Sequence, residues 1–198
     1  MANQKFDLVA LSELEARAKE HHFLKSFAKS VEILRGVLAM RLILQGDRHF
    51  QTINARSGLA RSLRAIHQYD ECFMLYSENI RIHTDKLGPD HPQTLRSLSR
   101  LANTYFAAGQ YENARPMFVG ILTSRIKVLG RAHPVTLRSR SSLANTLSEL
   151  GMYRESAVLH QEIIDDRVRV LGPDHPRTQL SRIRIEIVRK AIHSAKIR

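Results

Sequence analysis

Ten histidines and a single cysteine are the side chains in this sequence best suited to hold a metal or to attack a substrate. Four of the histidines, His49, His91, His133 and His175, form a series with a constant step of 42 residues. A zinc ion needs its ligands at about 2 Å. Rings carried by successive copies of one helical unit stand roughly 8–10 Å apart. The series is therefore expected to hydrogen-bond within each copy, with no metal site. His21 and His22 are adjacent, with no neighbouring Cys or Asp, and belong on the surface. Cys72 falls where the next copies have Ala114 and Ser156, which marks a place of close packing and not a nucleophile. No glycine-rich phosphate loop, paired carboxylate motif or Ser-His-Asp arrangement of familiar context is present. Neither an enzyme nor a cofactor is expected.

The elements that place these residues follow from the same period. Leu87-Gly88-Pro89-Asp90-His91-Pro92 returns as Leu129-Gly130-Arg131-Ala132-His133-Pro134 and as Leu171-Gly172-Pro173-Asp174-His175-Pro176, 42 residues apart each time. Gln45-Gly46-Asp47-Arg48-His49-Phe50 is a weaker copy that keeps the glycine and the histidine. Threonine stays in register at 52, 94, 136 and 178, and Leu-Ala recurs at 59, 101 and 143. A second signature follows at His67-Gln68-Tyr69, Gly109-Gln110-Tyr111 and Gly151-Met152-Tyr153. A fixed period of this length marks a repeat architecture.

Between these marks the apolar residues step by three and four, as in Leu95, Leu98, Leu101, Ala102 and Tyr105, which is the helical period. Each unit is a shorter helix A, a turn, a longer helix B and the Gly-x-x-His-Pro link. Glycine closes a helix in the left-handed conformation, and proline opens the next, where its missing N–H is harmless. The expected organisation is a disordered segment 1–5, a degenerate repeat 6–48, repeats 49–90, 91–132 and 133–174, and a capping helix within 175–198. The alternation Arg182, Ile183, Arg184, Ile185, Glu186, Ile187 would suit a strand, but the register makes it the helix A of a fifth unit. The expectation is nine helices: four hairpins and a cap.

These residues resemble the tetratricopeptide repeat family in its 42-residue, kinesin-light-chain-like form, over most of the chain. The resemblance implies an all-α, right-handed superhelix whose concave face, lined by the A helices, holds an extended peptide or a partner's helix. It departs from the family pattern at Arg56 and Arg140, where a bulky apolar residue is common, at His67 in place of the turn glycine, and at Pro116 early in a helix B.

On each helix A the stripe opposite the apolar one is the candidate groove. By register it holds Asn54, Ser57, Arg61 and Arg64, then Arg96, Ser99, Asn103 and Phe106, then Arg138, Ser141, Asn145 and Ser148. Arginine makes bidentate hydrogen bonds to carboxylates and asparagine pairs with a peptide backbone. Phe106 would add one apolar anchor, and the resemblance implies that Asn103 and Asn145 clamp the bound backbone.

Charge agrees with an acidic partner: 31 Lys and Arg stand against 19 Asp and Glu, a net of +12. The chain is expected to be a protein-binding scaffold for an acidic or extended segment. Nucleic acid is the weaker alternative, because aromatic content is only 6% and no reading motif appears, although Arg182, Arg184, Arg189, Lys190, Lys196 and Arg198 gather near the C-terminus. A homodimer through the apolar side of the last helix, Ile183, Ile185, Ile187, Val188 and Ile192, is a further alternative. One cysteine excludes an internal disulfide, and neither a secretory signal at Met1 to Ala10 nor an apolar run of membrane-spanning length is seen. A cytoplasmic protein without a membrane partner is expected.

Overall fold

The computed structural model describes residues 2–196, with side chains for 8–194. Among these residues there are nine helices and no strand: α1 (Ala2–Phe23), α2 (Phe27–Gln45), α3 (Phe50–Ala65), α4 (Tyr69–Leu87), α5 (Pro92–Ala107), α6 (Tyr111–Leu129), α7 (Pro134–Glu149), α8 (Tyr153–Leu171) and α9 (Pro176–Lys196). From α3 onward, helices of 16 residues alternate with helices of 19 until α9. The alternating segment 182–187 is helical, as the repeat register required. α1 begins at Ala2, ahead of the expected start at residue 6, so helix reaches into the segment expected to be disordered; Met1 lies outside the described residues.

The links obey one local chemistry. Gly46, Gly88, Gly130 and Gly172 follow the B helices at φ of 79° to 89°, where any other residue is strained. Each link histidine then caps the next helix: Nδ1 of His49, His91, His133 and His175 accepts the backbone N–H two residues on, at 3.1–3.3 Å. The threonine after it is fully buried in all four copies and donates back to a carbonyl at the end of the preceding helix B or in the link, Arg41, Gly88, Arg125 or Gly172. The histidine series is thus a set of caps.

The chain divides into two units, Met1–Thr104 and Tyr105–Arg198. In the first, α1 packs on α2, α2 on α3 and α3 on α4. Helices A and B approach closely because the facing residues are small: Ser30 Oγ donates to the Ala18 carbonyl at 2.8 Å, and Cys72 Sγ to that of Ala60 at 2.9 Å, all four buried completely. Burial pushes the Cys72 thiol up to about 11, so it stays protonated and packs. Leu34, Val37, Leu59, Leu63 and Ile82 fill the core around them.

In the second unit α6 packs on α7, α7 on α8 and α8 on α9. The same device recurs, with Ser156 Oγ donating to the Ala144 carbonyl at 2.7 Å. On α9, Ile185 and Val188 are buried, whereas Leu180, Ile183 and Ile187 are exposed. The apolar side expected to lie open on α9 is therefore narrower than the sequence suggested: helical geometry turns Ile185 and Val188 inward, and Ile192 is half-buried.

Arg56 and Arg140 occupy apolar places of the family pattern without exposing their charge. In unit 1, buried Arg56 donates to Asp47 and, at 2.9 Å, to Asn79 Oδ1. In unit 2, buried Arg140 donates to Asp166 at 2.6 Å, a carboxylate that is itself buried. Removing one member of such a pair costs about 3–5 kcal/mol, because the other charge is left buried alone.

Candidate peptide-binding surface

The candidate surface is lined mainly by A helices, with His83, Lys86 and Leu87 of α4, Leu34 of α2 and the link residue Arg48 completing it. In unit 1, two adjoining pockets of about 450 and 380 Å³ share Phe50, Asn54, Ser57 and Arg100. The first is rimmed by Arg48, Lys86 and Arg96, the second by Lys19 and Arg61. The one carboxylate in either lining is Glu15, which is already held by Nε of the buried Arg41 at 2.6 Å. Arg61, Arg96 and Arg100 make no ion pair or hydrogen bond among the described residues. Arg100 has its pKa lowered by burial first and then by Arg96, with Tyr76 pulling it back up by more than Arg61 lowers it. Arg61 also acts on His22, whose pKa is lowered by burial first, then by Arg61 and Arg64.

Of the residues expected in the groove of unit 1, Asn54, Arg61 and Arg96 are exposed and Arg64, Ser99 and Asn103 half-buried. Ser57 lies at the pocket floor, 8% exposed, and its hydroxyl accepts the Asn79 amide at 2.9 Å. Ser99 and Asn103 donate to carbonyls of their own helix, at Leu95 and Ser99.

Unit 2 carries Arg138 exposed, with no ion pair or hydrogen bond among the described residues, and Asn145 and Ser148 half-buried. Ser141 is 9% exposed and donates to Leu137, turned into the helix and away from solvent. Phe106, expected as an anchor, packs edge-on against Tyr111 at 5.2 Å, so its ring stiffens the turn. An exposed aromatic stands instead in unit 1: Phe50 is 64% exposed. It occupies the place of Pro92, Pro134 and Pro176, a difference visible in the sequence. Arg100 was also missed. Its equivalents are Gly58 and Ser142, which hid it from the register, but it lies one turn from Arg96 on the same helix face.

Near the C-terminus, Arg189 of the basic cluster pairs with Glu186 of its own helix at 2.7 Å. Arg198 and the side chain of Lys196 lie outside the described residues.

Tetratricopeptide repeat family profiles match residues 51–119 and 98–167, more than half of the chain. The chain belongs to the tetratricopeptide repeat family. Repeats of this family generally mediate protein–protein interaction, and the fold is typically a scaffold without enzymatic activity. Two crystal structures of a kinesin-light-chain-type protein from Podosopora anserina, built of nearly identical TPR-like repeats, are each 24% identical. They superpose with TM-scores of 0.83 and 0.82 over 94% of this chain and 88–89% of theirs. BtubC from P. vanneervenii is 16% identical, with a TM-score of 0.76 over 92% of this chain and 72% of its own. These likenesses place the chain in the all-α class of stacked tetratricopeptide hairpins. No curated protein matches it in sequence. No helix among the described residues is long and apolar enough to cross a membrane.

Proposed function

We propose that this tetratricopeptide protein is a non-enzymatic scaffold that binds an acidic, extended segment of another protein along a basic groove on its A helices. The observation that supports this best is the set of three guanidiniums, Arg61, Arg96 and Arg100, without ion-pair partners among the described residues and beside pockets whose one lining carboxylate is already engaged. A guanidinium without a partner offers bidentate hydrogen bonds to a carboxylate. Asn54 lies between them with an amide that can pair with a peptide backbone. In the second unit the corresponding contacts are Arg138 and Asn145. The single, buried and protonated thiol suits a reducing compartment, and we place the protein in the cytoplasm.

A pool of acidic peptides should bind the full chain, and changing Arg61 and Arg96 together to Glu should weaken binding by about tenfold or more. Arg138→Glu tests the second unit separately. Affinity unchanged in all these variants would reject the groove. A second reading, self-association, is supported by Leu180, Ile183 and Ile187, exposed along one side of α9.

A further inference from the structure

A carboxylate ligand leaves part of the unit 1 surface unexplained. Arg100 lines both pockets, flanked by Arg96 in one and Arg61 in the other. Arg96 and Arg100 are one turn apart on α5, a like-charge spacing that is unfavourable in the unliganded helix. Arg100 is also half-buried, where water screens its neighbours less.

A carboxylate carries one charge on two oxygens, and a single guanidinium satisfies it with two parallel hydrogen bonds. The remaining guanidiniums would still repel one another. A phosphate monoester carries about −1.5 to −2 with three acceptor oxygens, enough to engage Arg100 and a neighbouring arginine at once. We propose that the pockets meeting at Arg100 form a binding site for a phosphoserine or phosphothreonine side chain on an extended partner peptide, with adjacent peptide residues lying on Phe50 and Asn54. The site rests on the groove reading and narrows its ligand class. Nucleic acid fits it less well: its charges are strung along a line at one per phosphate, and Phe50 is the one exposed aromatic in the two linings on which a base could stack.

The test uses the full chain and three pools of labelled random peptides that differ only in a fixed central residue: phosphoserine, glutamate or serine. The phosphoserine pool should bind about tenfold tighter than the glutamate pool. That advantage should shrink as pH falls through about 6, where the phosphate takes up a proton. Arg100→Gln, and separately the exposed Arg96→Gln, should remove it, while Arg154→Gln, exposed on α8 and outside the groove, should leave it, with circular dichroism confirming that each variant is folded. Equal binding of the phosphoserine and glutamate pools would overturn the phosphate site and leave the groove standing. Failure of all three pools would remove both. A phosphoserine advantage that survives in folded Arg96→Gln and Arg100→Gln would place the phosphate elsewhere and overturn the assignment. So would a single-stranded oligonucleotide that displaces the phosphopeptides at physiological salt.

Discussion

His160 shows how one residue can set a pH limit. It is 2% exposed on α8, at the place held by Tyr76 and Phe118 in other repeats. Burial, then Arg184 and Arg167, lower its pKa to about 4. The folded state therefore binds fewer protons at this site than the unfolded chain between pH 6.5 and about 4. Its contribution is whole above pH 6.5 and is lost as pH falls toward 4, by roughly 3 kcal/mol at most. His160→Phe, which matches the apolar occupant of another repeat, should flatten this loss. Urea titrations at pH 7 and pH 5 measure it: wild type should lose more stability between them than the variant, and equal losses would contradict the assignment.

The turn between helices A and B shows what an element tolerates. Gly109 and Gly151 take φ of 73° and 74° there, and His67 takes the same left-handed conformation at 61°. Its Nδ1 lies 2.7 Å from the Tyr69 hydroxyl, a bond that offsets part of the strain. His67→Gly should stabilise the protein by about 0.5–1 kcal/mol, read as a higher thermal midpoint. A lower midpoint would show that the His67 to Tyr69 contact outweighs the strain. Pro116 is the second local departure. It is the sixth residue of α6, beyond the first turn, so the Glu112 carbonyl receives no amide from it, yet the helix runs on unbroken to Leu129.

At the scale of the whole molecule, repetition lets charges gather that no single hairpin would hold. Arg61 comes from α3 and Arg96 and Arg100 from α5, and stacking puts them beside joined pockets. Repetition also leaves α9 without a following helix B among the described residues, with Ile183 and Ile187 about 60% exposed. If they bind a second copy, changing both to Glu should convert a dimer into a monomer in light scattering, with helicity retained. A chain that is monomeric before the change would dismiss self-association.

The sequence by itself determined the repeat, the helix order, the turn glycines and the small residues at 72, 114 and 156, because each depends on backbone geometry repeated every 42 residues. It also led to the expectation that Arg61, Arg96 and Arg138 each face outward, since periodicity alone orients a side chain on its own helix. Only tertiary packing decided what each side chain met. Arg56 and Arg140 found buried carboxylates or amides, Ser57 and Ser141 turned inward, Phe106 closed on Tyr111, and Arg100 came to line pockets its register equivalents did not announce. Those outcomes depend on partners far away in sequence, and a repeat period carries no record of how the non-repeating residues pair across it.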